Sequence, residues 1–201
     1  MSRQIIRLTD SFKNALTSHN IPGLRWLIDG FNFYDKQRVL EVGADRVAAE
    51  WVVRCGGVVK FDRFKTRFDD YNTLIRATAE LDPAKPSDAC HLVEIDASNS
   101  CVSGFGCRHF TGLNHLSRVL FINCKNLQDF GLEEMGKQVG SRLPHLELEK
   151  CPRISEYGLK HLETFSGLKT LKLKNLPNVY KPQRSIDSLK KALPNCEVHY
   201  E

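Results

Sequence analysis

The chain has 201 residues, 41% of them apolar and 26% charged, with a net charge of +5, the balance of a globular protein rather than a disordered one. No run approaches the roughly 18–20 apolar residues that a membrane-spanning helix needs, and the cations are interleaved with acids, which argues against a nucleic-acid binder. Seven cysteines, an odd number, contain no CxxC pair; this argues against a disulfide framework or a structural zinc site and for free thiols in a reducing compartment.

The chain opens with MSRQIIRLTDSFKNAL, in which Ile5, Leu8, Phe12 and Leu16 recur at helical spacing among Arg3, Arg7, Lys13 and Asp10. This fits an amphipathic targeting helix and an ordinary surface helix equally well, and it lacks the continuous apolar core of a secretory signal. IPGLRWLIDGFNFYDKQRVLEVG then reads as one or two short helices rich in aromatics. GADRVAAEWVVRC reads as a helix, with Val47, Trp51 and Cys55 on one face beside Ala48 and Val52. Gly56 is its expected stop, and Asp45 and Arg54 complement the helix dipole at its two ends. Its polar side, Asp45, Arg46, Glu50 and Arg54, is a candidate partner surface. VVKF (58–61) is a candidate edge strand, and ATAELDPAKPSD (77–88) a polar connection. Residues 1–88 are thus expected to form a small helical domain that caps the open end of a repeat domain in the second half of the chain.

Residues 89–201 carry that internal repeat, which is the informative feature of the sequence. The pattern L-x-x-L-x-L-x-x-C, with L any apolar residue, fits Leu116, Val119, Phe121 and Cys124, then Leu143, Leu146, Leu148 and Cys151, then Leu168, Leu171, Leu173 and Leu176. Degenerate copies precede and follow, so that the final positions fall at residues 98, 124, 151, 176 and 201. This is the cysteine-containing type of leucine-rich repeat. The predicted fold is an α/β, right-handed leucine-rich-repeat solenoid of about 4.5 repeats with a small helical N-terminal capping domain. Cys124 and Cys151 are expected to pack behind the strands, and Asp129 and Glu156 to cap or flank the helices between them. The outward strand positions run from apolar to acidic to basic. Among them Arg118, His145, Glu147 and Lys172 are candidate contacts for a protein partner.

No phosphate loop, GxGxxG, HExxH or GxSxG motif is present, and the histidines lack metal-type spacing. SGFGCRH (103–109) lies where a repeat turns, and backbone geometry explains its glycines better than phosphate binding does. The expectation is a binding scaffold, not an enzyme.

VGADRVAAEWVVRCGG, preceded by WLIDGFNFYDKQRVLE and followed by DDYNTL and EIDASNSCV, resembles the ATP synthase subunit s (coupling factor B) family. The likeness runs from about Trp26 to the C-terminus. It implies a non-catalytic mitochondrial accessory protein, peripheral on the matrix side of the inner membrane. Such a protein would bind a membrane-sector subunit of ATP synthase, support proton-coupled ATP synthesis and limit proton leak. It further implies magnesium at Gly43, with Thr78 the nearest match to a second implicated residue, and a sensitive thiol, for which Cys55 and Cys101 are the two candidates. No other cofactor is implied. The sister family of distal membrane-arm assembly protein 2 shares the architecture and implies a scaffold for complex I assembly. A leucine-rich-repeat ubiquitin-ligase adaptor is the further alternative.

Overall fold

Alternation of apolar and polar residues in five short segments frames the molecule. The computed structural model describes residues 25–201; the amphipathic segment at the start of the chain lies outside them. Five parallel strands follow one another in chain order, β2 (Leu92–Asp96), β3 (Arg118–Ile122), β4 (His145–Glu149), β5 (Thr170–Lys174) and β6 (Glu197–Tyr200). An antiparallel strand, β1 (Val58–Phe61), pairs with β2, so one open sheet has the order β1 to β6. Parallel neighbours need a crossover. A 3-10 turn (Gly104–Phe110) and the helices α5 (Asp129–Val139), α6 (Glu156–His161) and α7 (Pro182–Ala192) supply it in turn.

The register explains the repeat. Val119 pairs with Leu146, Leu146 with Leu171 and Leu171 with Val198, while Phe121, Leu148 and Leu173 form a second row. Strand side chains alternate faces, so these rows share one face, and all but the half-buried Val198 lie in the core. Each such side chain contributes about 1.5–3 kcal/mol on burial. Behind the strands, the Cys124 thiol donates to the Ala97 carbonyl (3.0 Å) and the Cys151 thiol to that of Phe121 (3.3 Å). Each cysteine thereby links its own turn to the preceding strand segment.

Asp129 and Glu156 lie in the first turns of α5 and α6 and so flank the helices as expected, and their carboxylates also reach onward. The Asp129 carboxylate accepts from the Ser155 amide (2.8 Å) and hydroxyl (2.6 Å), and Glu156 accepts from the amides of Tyr180 and Lys181. Both staple their own turn to the next one along the stack.

On the N-terminal side lie α1 (Arg25–Phe31), α2 (Lys36–Val42), α3 (Ala44–Arg54) and α4 (Tyr71–Thr78). The boundary expected at residue 88 falls in a second 3-10 turn, Pro86–Asp88. The packing is continuous across it. Strand β1 belongs to the sheet, and Trp51, Val52, Phe61 and Phe68 share one hydrophobic core with the strand rows. Among the described residues no helix is long and apolar enough to cross a membrane.

Candidate functional site

Helix α3 forms as its sequence predicts. Gly43 precedes it, Asp45 lies in its first turn and Arg54 in its last, and Gly56 follows with φ +91°. Its surroundings differ from those expected. Val47, Trp51 and Cys55 are buried, as the periodicity requires, but Arg46 and Glu50 are buried too, at 8% and 3% exposure. Glu50 is held by the Arg38 guanidinium of α2 at 2.8 Å and 3.4 Å. Arg46 donates to the Leu81 carbonyl at 3.1 Å, and burial lowers its pKa. Asp45 accepts from the Leu92 amide at 2.8 Å, and desolvation raises its pKa. Three of the four residues assigned to a partner surface therefore hold α2, β2 and the 78–88 segment in place. Only Arg54 is exposed, with its guanidinium 5.9 Å from the Tyr71 ring centre.

The residue that organises this region, Asn32, carried no signal in the sequence. It is 2% exposed. Its amide donates to the carbonyls of Ile28 (3.0 Å) and Cys101 (3.1 Å). Its oxygen accepts from the Trp51 indole (3.1 Å) and the Ser103 amide (2.9 Å). One side chain thus joins α1, α3 and the turn after β2.

The two thiol candidates, 46 positions apart in sequence, are brought together. The Cys101 amide donates to the Cys55 carbonyl at 2.9 Å, and both side chains are buried. Burial pushes the Cys55 thiol well up, and its neighbour Cys101 adds to the effect. Its hydrogen bond in turn lowers Cys101. Neither is solvent-facing in the folded chain.

Gly43 and Thr78 do not fit magnesium, which takes about six hard oxygen ligands and favours carboxylates. Gly43 offers only its carbonyl, which already accepts from the Val47 amide. The Thr78 hydroxyl is buried and donates to the Leu74 carbonyl at 3.0 Å. No group of three or more His, Cys, Asp or Glu residues among the described residues is arranged to hold a metal ion. What Gly43 does supply is backbone: at φ 86°, ψ 157° it turns the chain from α2 into α3, a region open essentially to glycine alone.

The outward face of the sheet does assemble the other candidates. Arg118, His145 and Thr170 form one row, and Leu120, Glu147 and Lys172 the next. Arg118, His145, Glu147 and Lys172 line one shallow hollow of about 320 Å³. Cation, imidazole and carboxylate sit there on adjacent strands of a fixed scaffold, which suits polar recognition of a partner surface.

The chain is 31% identical to the protein of Bos taurus named ATP synthase subunit s, mitochondrial, over 175 residues that make up 86% of this chain and 84% of that protein. The proteins of the same name from Mus musculus and Homo sapiens are 33% and 32% identical over the same shares. No protein-family model matches the chain.

Proposed function

This chain belongs to the ATP synthase subunit s family, and from that premise we propose that it is a non-catalytic accessory protein of the mitochondrial ATP synthase. Its docking site is the membrane sector of that complex, on the matrix side of the inner membrane, and its role is to support proton-coupled ATP synthesis by limiting proton leak. The observation that carries this reading is the kinship over 86% of the chain with proteins named as subunits of that complex. The scaffold is read as a right-handed, cysteine-type leucine-rich-repeat solenoid. The evenly stacked strands β2–β6 and the paired Cys124 and Cys151 hydrogen bonds support that description. Contact with the partner is assigned to the hollow around Arg118, His145, Glu147 and Lys172, which presents charge on a rigid sheet.

Cross-linking and then affinity capture from mitochondria tests the reading. ATP synthase membrane-sector subunits are the expected catch, and the paired neutral substitutions Arg118→Gln and Lys172→Gln should deplete them while leaving the melting temperature nearly unchanged, because they place no like charges opposite Glu94 and Glu147. Recovery of complex I assembly intermediates without any ATP synthase subunit would move the chain to the sister role.

A further inference from the structure

A second surface lies away from the sheet face. At the carboxyl ends of β3, β4 and β5 the chain turns around Asn123, Lys150 and Asn175, and these turns, with Tyr200 of β6, enclose an open trough of about 670 Å³. Pro152, Leu176 and Pro177 give it an apolar lining, and Lys125, Lys150 and Arg153 give it positive charge.

Two independent features mark it. The first is backbone conformation. Each turn has one residue in the left-handed region, and those residues are Asn99, Asn123, Lys150 and Asn175, with φ between 49° and 58°. Asparagine is several-fold enriched in that region, whereas lysine is not. The chain therefore keeps a lysine where each sister turn has the better-suited residue, and that lysine lines the trough. Such a local cost is a pointer to function. The second feature is charge. Lys125 and Arg153 have no ion-pair partner among the described residues, and Lys150 meets only Glu149, at 2.8 Å with its own side chain 58% exposed. The one carboxylate residue lining the trough, Glu201, is held by Lys174 at 2.8 Å.

We propose that this trough binds an acidic segment of a partner polypeptide, with carboxylates on Lys125, Lys150 and Arg153 and an apolar side chain over Pro152, Leu176 and Pro177. Charge complementarity selects the carboxylates. The apolar lining selects a peptide over a bare anion, which would leave that lining wet. The inference rests on the reading of the chain as a binding subunit, though not on which complex it joins.

Fluorescence anisotropy of the full chain with a fluorescein-labelled Glu-Leu-Asp-Glu-Leu-Glu peptide at low salt tests it. Saturable binding is expected. Lys150→Asn should weaken it about threefold while holding or raising the melting temperature, since asparagine suits the left-handed position. The combined Lys125→Gln, Lys150→Asn, Arg153→Gln chain should weaken it at least about tenfold. Absence of saturable binding, or equal binding by the triple variant, overturns the proposal. So does binding of inorganic phosphate or of anionic phospholipid vesicles by a chain that does not bind the peptide. Capture of ATP synthase subunits alongside a failed peptide titration sinks this inference alone. Peptide binding without such capture sinks the proposed function alone.

Discussion

The indole of Trp51 lies flat against the imidazole of His109, ring centres 4.8 Å apart and planes 7° from parallel. The contact joins α3 to the 3-10 turn after β2, and the Phe110 ring meets the same indole edge-on at 5.8 Å. Trp51 is fully buried, and its N–H is held by Asn32. Trp51→Ala should therefore cost about 3–5 kcal/mol, read as a drop in the urea midpoint. A midpoint that stayed put with partner capture lost would instead make Trp51 a contact residue.

His109 carries a pH dependence. Its Nδ1 bonds the Gly106 carbonyl at 2.9 Å, while Nε2 is buried with no hydrogen-bond partner among the described residues. Desolvation is the main reason its pKa falls from 6.5 to about 4. Between those values the unfolded chain takes up a proton that the native chain refuses, so stability falls as pH falls. Going from pH 7 to pH 5 should remove about 2 kcal/mol through this group, before most carboxylates titrate. His109→Phe should show a correspondingly shallower loss across the same window. Parallel urea curves for the two chains would assign the slope to other groups.

The Arg38–Glu50 pair replaces a presumed contact surface with an internal one. Glu50 has a side chain 4% exposed and Arg38 one 34% exposed. Removing the arginine strands a buried carboxylate, which typically costs about 3–5 kcal/mol. Screening at the half-open Arg38 end reduces that to about 2–3 kcal/mol for Arg38→Ala. Arg38→Met combined with Glu50→Leu should recover most of it, because an apolar pair of similar shape has no charge to desolvate. A double-mutant cycle by chemical denaturation gives the coupling. Arg38→Ala that left stability intact but weakened partner capture would restore Glu50 to the surface.

How legible each element is in the sequence depends on how far apart its partners lie. The strand rows were legible because parallel stacking demands the same apolar spacing in every turn, as Val119, Leu146 and Leu171 show. Helix α3 was legible in its type, its glycine stop and its apolar face. Its polar side was misjudged because periodicity places Arg46 and Glu50 outward, while their partners Leu81 and Arg38 come from segments 35 and 12 positions away. Helix α4 gave little signal, since Leu74 and Thr78 are its only fully buried residues. Asn32 could not have been singled out, because its side-chain bonds reach three separate segments. The cations of the sheet face were legible individually; their meeting around one hollow depended on the register.

Gly43 separates backbone from metal chemistry. With φ 86° and ψ 157° it occupies a conformation that costs a residue with a Cβ on the order of 1–3 kcal/mol. An added Cβ would meet only the Pro83 side chain, at 3.6 Å, so the penalty comes from the dihedral angles and not from crowding. Gly43→Ala should lower the melting temperature equally with and without millimolar magnesium. Wild-type stability should be likewise indifferent to the ion, whereas an ion that bound the native chain would raise stability by RT ln(1 + c/Kd) at free ion concentration c. Thermal scans across a magnesium titration, with calcium as the control cation, decide the matter. A magnesium-dependent rise in the wild-type midpoint that Gly43→Ala abolishes would mean that further oxygen ligands complete a site at this turn.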